Sequence, residues 1–467
     1  MEEIKTGYEY DIAVIGGGPG GYCAAIRASQ LGGHVILFEK DKLGGTCLNR
    51  GCIPTKTFVK TGELINSFDK CEGRGILLPD NFSASVDMEK VVSYKNNVVK
   101  KLTGGVSALL KSNKVKVVSG QALLKDEHTI ECCGENYSAE KIILCGGSKV
   151  RMIPIEGIDN KNVITSDELL DIDHVPEKLV IIGGGIVGCE FAQPFASFGS
   201  KVTVIEALPR LTSGLDEELS AGIEKGLADS GVKVITGKSV SRIFDENGKT
   251  YVEVNGESIE ADKVLLCVGR TPCAEFLGGM EGKIEVENGY VTVNEYCETS
   301  IQGIYAAGDI TPVSGLASTA IKMGETAAAN AMGIKTVLDL SKSPNIIHTN
   351  PEAVSIGLTQ SQAEEKYAGK LLIGKFPFSG NGMCLASGNT EGFVKVIAES
   401  DCGEILGVHI LGADAAEMGA EAVDLMSMEI TVDEAADIIH AHPTMSEAFM
   451  EACADALSRS IHLPKKR

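Results

Sequence analysis

Apolar residues gather in short runs separated by glycines. Residues 10–15 form one run and residues 34–38 another, and the alanine-rich segment between them, reaching residue 31, mixes polar and apolar positions. Short apolar runs bounded by turn residues predict buried strands, and the longer mixed segment predicts a helix. The same strand, helix, strand order returns at 179–182, 189–198 and 201–205. Strands are also expected within 115–145, at 264–268 and at 303–307, whereas 57–110 reads as helical and charged. From about residue 344 the pattern changes. Segments 345–349, 353–357, 370–378, 392–399 and 405–411 read as antiparallel strands without glycine-rich loops, a different kind of domain.

The two repeated units each carry a glycine signature in its required context. Gly16-Gly17-Gly18-Pro19-Gly20-Gly21 follows the first strand, and Glu39 ends the second. In a β-α-β unit Gly16, Gly18 and Gly21 serve the tight turn and the close approach of a pyrophosphate. The helix start favours its charge, and the acid suits ribose hydroxyls. Gly183, Gly185, Gly188 and Glu206 repeat the arrangement. Two such units imply two dinucleotides, in an order that these residues leave open. A carboxylate at Glu206 accepts from a free 2'-hydroxyl and repels a 2'-phosphate, which favours NAD over NADP; Arg210 is the cation nearby that argues the other way. The fold class expected is therefore α/β, with two Rossmann-like dinucleotide-binding domains and a C-terminal α+β domain. The expected division is 1–149 and 271–343 for the first dinucleotide domain, 150–270 for the second, and 344–467 for the last. A chain of 467 residues is too long for one ordinary core, in keeping with this division.

Between the two signatures lies Leu43-Gly44-Gly45-Thr46-Cys47-Leu48-Asn49-Arg50-Gly51-Cys52-Ile53-Pro54-Thr55-Lys56. In a regular helix, residues five apart are turned about 140° from one another, so joining Cys47 to Cys52 requires an irregular helix. Gly51 permits that tightening, and Pro54 suits a first helical turn. The alternatives are two free thiols or half of a metal site. No matching second ligand pair is present, so no metal is expected. The other cysteines are scattered, and Cys145, Cys189 and Cys267 sit in apolar runs, as small buried hydrophobes of a reducing compartment do. The start, Met1-Glu2-Glu3-Ile4-Lys5, has no apolar signal core, and a cytoplasmic location is expected. A net charge of −21 argues against nucleic acid and against anionic membranes.

Near the C-terminus stands His440-Ala441-His442-Pro443-Thr444-Met445-Ser446-Glu447. Pro443 pushes His442 into extended backbone, so its imidazole can project. Thr444 and Glu447 also read as a capping box for the next helix, a structural role that competes for the same carboxylate. His440 reads as structural.

The cysteine stretch resembles the redox-active sequence of the flavoprotein disulfide reductases, above all their lipoamide-oxidising branch, and the resemblance runs from Asp11 to about His462. It implies a glutathione reductase-like fold with FAD at the first signature and NAD at the second. It also implies that Asp309, after the strand at 303–307, holds ribityl hydroxyls and that the helix start at Ala317 faces the flavin. Gly269 and Arg270 would lie near the bound nucleotide, with a solvated turn as the alternative for Arg270. Cys47 would exchange with substrate and Cys52 would face the flavin. Lys56 would pair with Glu190, its alternative being a solvated helix position. His442, oriented by Glu447, would act as base for the partner subunit of a homodimer. The substrate implied is dihydrolipoamide on a lipoyl domain or carrier protein, since no lipoyl domain precedes Tyr10. Ser318-Thr319 and Gly380-Asn381-Gly382-Met383 depart from the family pattern, as do two positions of Cys145-Gly146-Gly147-Ser148, whereas Phe376-Pro377-Phe378 matches it. Within the same fold, glutathione-type enzymes tend to replace the last glycine of the second signature, and mercuric reductases add C-terminal cysteines absent from 461–467. A non-catalytic docking subunit is the alternative of another class.

Overall fold

The strand Tyr10–Ile15 lies inside a parallel sheet, hydrogen-bonded to Val35–Glu39 on one side and to Glu135–Leu144 on the other. Alternate side chains leave a strand on opposite faces, so Ala13 and Ile15 enter one apolar cluster while Ile12 and Val14 enter another. Burial on both faces is why its residues from Ile12 to Ile15 are all apolar. Lys116–Ser119 extends the sheet beyond Val35–Glu39, and Ile304–Ala306, remote in sequence, joins Glu135–Leu144 in parallel. The computed structural model describes residues 7–313 and 315–465; the charged start at Met1–Lys5 lies outside them.

A second parallel sheet runs in the order Lys233–Ile235, Lys201–Ile205, Lys178–Ile182, Lys263–Leu266, Val163–Ile164. Against it packs an antiparallel meander, Val240–Glu246, Lys249–Val254 and Glu257–Ala261, which the sequence reading passed over. Its alternating polar residues leave only one face for the core. The C-terminal part is a five-stranded antiparallel sheet, Asn345–Ile347, Glu352–Gly357, Ile405–Gly412, Phe393–Glu399 and Leu371–Pro377 in spatial order. The helices Ala415–Ser427 and Glu447–Ala456 share its apolar core.

The structure corrects three expectations of detail. The helical stretch 57–110 is two helices, Cys52–Ser67 and Met88–Ser112; Gly75 at φ +77 ends the intervening 3-10 turns, and Asp87 caps the second helix through the Lys90 N–H. The helix of the second signature starts at Ile186 rather than 189, because Gly185 already serves as its cap. Ser446, not Thr444, precedes the Glu447–Ala456 helix, and the Thr444 hydroxyl donates to the Ala441 carbonyl, so no capping box forms. Among the described residues, no helix is long and apolar enough to cross a membrane.

Candidate active site

The two glycine signatures build the same cradle twice. Gly16 has φ +103, and a Cβ there would lie 2.1 Å from the Cys145 carbonyl oxygen; Gly183 has φ +110 and would meet the Cys267 carbonyl at 2.3 Å. A side chain on Gly21 or Gly188 would strike the carbonyl of Gly16 or Gly183 at 1.8 or 2.1 Å. The middle glycines, Gly18 and Gly185, cap the helices Pro19–Gln30 and Ile186–Ser197, and glycine brings no side-chain oxygen to the first-turn N–H groups. A dinucleotide pyrophosphate fits both turns, because main chain alone lines the approach and a helix N-terminus faces it. The acids match as well. Glu39 accepts from the Gly17 N–H at 2.6 Å and the Asp41 N–H at 2.7 Å, and Glu206 from the Gly184 and Leu208 N–H groups at 2.6 and 2.8 Å. Burial raises the Glu39 carboxyl, opposed by the Gly17 N–H. Arg210 is engaged elsewhere, pairing with Glu217 at 2.7 Å and donating to the Ser213 carbonyl.

Beside the first cradle, Ala317–Ala331 begins at Ala317 with Leu316 as its cap. Its Gly324 packs so close to Gly20 that a Cβ would lie 2.2 Å from the Gly20 oxygen, so this helix lies directly against the first turn of Pro19–Gln30. Asp309 follows the strand Ile304–Ala306 and accepts from the Ser148 hydroxyl. Arg270 turns to this side. Its Nε donates to Ser148 Oγ at 2.6 Å and stands 3.8 Å from the Asp309 carboxylate, and its Nη2 reaches the Ser148 carbonyl and Thr46 Oγ1. Ser148 and Thr46 were missed as site residues; lone hydroxyls carry no pattern in a sequence.

The cysteine stretch folds as two helices meeting at a break. Gly45–Arg50 ends at Gly51, and Cys52–Ser67 starts directly after it. A Cβ on Gly51 would lie 2.9 Å from the Thr46 oxygen, so glycine allows the turn. The break brings the two thiols into a hydrogen bond, Cys47 donating to Cys52. That bond raises Cys47 well above the usual thiol range, with burial adding to the effect. For Cys52 the same bond outweighs burial and, helped by the Lys56 charge, lowers its pKa to about 7. Both stand as thiols.

Lys56, one turn past Cys52, holds both carboxylate oxygens of Glu190 at 2.7 and 2.6 Å. Glu190 comes from the second signature's helix and is only 4 % exposed. The two helices come close at Gly62, where a Cβ would lie 3.0 Å from Pro194 Cα. The His348 N–H adds a third bond to Glu190 at 3.0 Å, and the His348 ring faces Glu352 at 3.4 Å. This tie to the C-terminal domain was missed too, since a backbone N–H leaves no trace in a sequence.

At the other end of the chain, His442 Nδ1 stands 2.8 Å from Glu447 Oε1, while Glu447 Oε2 accepts the Thr444 N–H at 3.0 Å. One oxygen of Glu447 thus orients the histidine, and the other takes the Thr444 N–H, which is only half of the box the sequence suggests. Burial works to raise this carboxyl, but the Thr444 N–H and the His442 ring prevail and leave it below its usual range. An ionised carboxylate can only accept, so Nδ1 carries the proton and Nε2 presents its lone pair. The His442 side chain is 79 % exposed. His440 is structural, held by Glu421 and the Ile438 carbonyl.

Paired cradles, a thiol pair at a helix break and a projecting histidine thus occur together in one chain. Residues 10–324 match the pyridine nucleotide-disulphide oxidoreductase family, and residues 343–453 match its dimerisation domain. The chain belongs to the pyridine nucleotide-disulphide oxidoreductases. It has relatives that match it along nearly its whole length. It is 37 % identical over 458 residues to a dihydrolipoyl dehydrogenase of Bacillus subtilis, covering 97 % of this chain and 99 % of the relative. It is 38 % identical over 463 residues to a dihydrolipoyl dehydrogenase of Thermus scotoductus, with coverage of 97 % and 99 %. Among solved structures it resembles the HOCl-induced flavoprotein disulfide reductase RclA from Escherichia coli, with a TM-score of 0.85, 27 % identity and coverage of 95 % and 99 %. The glutathione reductase-like fold is that of this oxidoreductase family.

Proposed function

We propose that this chain is an NAD-dependent, FAD-containing dihydrolipoyl dehydrogenase that oxidises dihydrolipoamide carried on another protein. The observation that carries the reading is the helix break at Gly51, which sets Cys47 and Cys52 on its two sides, beside the Lys56 and Glu190 pair. The full-length likeness to dihydrolipoyl dehydrogenases supports the choice of substrate. Gly16, Gly18, Gly21, Glu39, Asp309 and Ala317 would hold FAD; Gly183, Gly185, Gly188 and Glu206 would hold NAD, with Gly269 and Arg270 at the junction. We assign 1–149 and 271–343 to the FAD domain, 150–270 to the NAD domain and 344–467 to the interface. A cytoplasmic homodimer fits the acidic charge, the dispersed cysteines and the dimerisation-domain match.

The chain's own residues account for the exchange. Free dithiols hold their protons at neutral pH, so a base is needed. His442 Nε2 takes the proton of one substrate thiol, and Glu447 steadies the imidazolium that results. That sulfur attacks Cys47 of the oxidised Cys47–Cys52 pair; the new S–S bond forms as the old one breaks, and Cys52 leaves as thiolate. The Lys56 charge favours the thiolate of Cys52 and so makes it the better leaving group of the two. The second substrate sulfur then displaces Cys47, releasing the cyclic disulfide and leaving the protein dithiol. FAD, when bound, supplies the two-electron relay from this dithiol to NAD+. One assay tests the whole: dihydrolipoamide reduces NAD+ and not NADP+, and glutathione disulfide with NADPH gives no turnover. Absence of NAD+ reduction in flavin-replete protein would leave the docking-subunit reading.

A further inference from the structure

A second pair of cysteines lies outside the site described above. Thr129–Cys132 and Glu135–Leu144 pair antiparallel with Cys132 opposite Glu135, so Cys133 and Gly134 alone form the turn. Their φ values are +55 and +81, the left-handed pair of a type I′ hairpin. Asparagine or aspartate is the usual residue before glycine there, because a short polar side chain supports that conformation; cysteine gains nothing of the kind. The turn nevertheless directs the Cys133 sulfur back to within 3.8 Å of Cys132 Sγ. Below the two sulfurs is Gly120, where a Cβ would lie 2.5 Å from Cys133 Sγ and 2.8 Å from Cys132 Sγ. A glycine floor, an unfavourable turn residue and converging sulfurs together describe a shaped dithiol. Cys132 is buried and Cys133 exposed, so a reagent enters from one side.

We propose that Cys132 and Cys133 form a second dithiol site that captures a thiophilic centre with two exchangeable ligands, a trivalent organoarsenical being the chemical class. Zinc seeks four ligands, and among the described residues no group of three or more His, Cys, Asp or Glu is arranged to hold a metal. A direct disulfide requires the sulfurs to close to about 2.05 Å, whereas one bridging atom bonds both without that approach. The reaction balances without a redox step. Two thiols and R–As=O form two As–S bonds, and both thiol protons leave with the arsenical oxygen as water. The site also adjoins the first cradle. Gly120 donates its N–H to the Glu39 carbonyl at 2.9 Å, and Ser119, whose carbonyl is 3.6 Å from Cys133 Sγ, is the strand partner of Glu39.

The test uses flavin-loaded protein reduced with a phosphine, desalted, and titrated with phenylarsine oxide while intact mass is followed. Wild type is expected to carry two arsenicals per chain, one on each dithiol. Cys133→Asn, which gives the turn its preferred residue and removes one sulfur, is expected to carry one. Cys47→Ser, which leaves the hairpin untouched, is expected to keep the adduct there. The proposal is overturned if wild type binds a single arsenical that Cys47→Ser abolishes, or if Cys133→Asn still binds two.

Discussion

Glu190 shows how a single side chain can join three parts of the molecule. It is almost fully buried, takes both its charge partner and its geometry from Lys56, and accepts a third bond from the His348 backbone. Lys56→Ala leaves that carboxylate buried without its cation, and we expect a loss of about 2 kcal/mol, less than for a wholly buried pair because Lys56 is partly exposed. The same variant is expected to slow reduction of bound FAD by dihydrolipoamide in stopped flow; an unchanged rate removes the catalytic part of the reading. Cys52 makes a prediction about pH. Its folded pKa is about 7 against an ordinary value near 9, so the fold favours the thiolate. The contribution to stability of the reduced protein is complete above the unfolded pKa and is lost as pH falls through about 7. Thiolate absorbance of the reduced protein should therefore rise with a midpoint near 7, and a midpoint near 9 would contradict it.

Among the elements, the two β-α-β units are nearly superimposable arguments. In each, the N–H of the first signature glycine bonds the carbonyl just before the terminal acid, at 2.8 Å in both, and the acid's two oxygens accept the same two backbone groups. Glycine is required at the turn because φ is left-handed and a carbonyl stands where a Cβ would go. Gly183→Ala is thus expected to raise the KM for NAD+ by on the order of tenfold, since the strained turn must shift. FAD content, measured by absorbance, should stay near one per chain, because the first cradle is separate. These units were legible in the sequence, since strand length, glycine spacing and a terminal acid are all local. The break at Gly51 was legible as a requirement, while the interruption of 57–110 was not, because polar helix and polar loop share a composition until tertiary contacts separate them.

At the scale of the whole molecule, the second β-α-β unit is clamped to the C-terminal antiparallel sheet. Lys395 bonds both oxygens of Asp216 at 3.1 and 3.2 Å, both residues are buried, and His409 lies 4.0 Å from the same carboxylate. Burial lowers the His409 pKa against the pull of Asp216. Asn381, just past the Leu371–Pro377 strand of that sheet, donates to the Thr444 carbonyl beside His442. The His442 side chain is exposed, and the proposed reading has it serve Cys47 and Cys52 of the partner chain. Mixing inactive Cys47→Ser and His442→Ala proteins after dissociation should then restore activity, because a mixed dimer holds one complete site. A mixture as inactive as its components would place the histidine within its own chain.

Local pattern determined the strands of the two β-α-β units, the two dinucleotide turns, the thiol pair and the histidine before proline, because each depends on residues near one another and on backbone preferences that single side chains announce. Tertiary structure alone decided which distant groups meet: Arg270 with Ser148 and Asp309, Glu190 with both Lys56 and a backbone N–H, and Gly120 with the sulfurs of Cys132 and Cys133. Such meetings depend on how sheets and helices pack, and a backbone donor or a lone hydroxyl has no signature until packing brings its partner within reach.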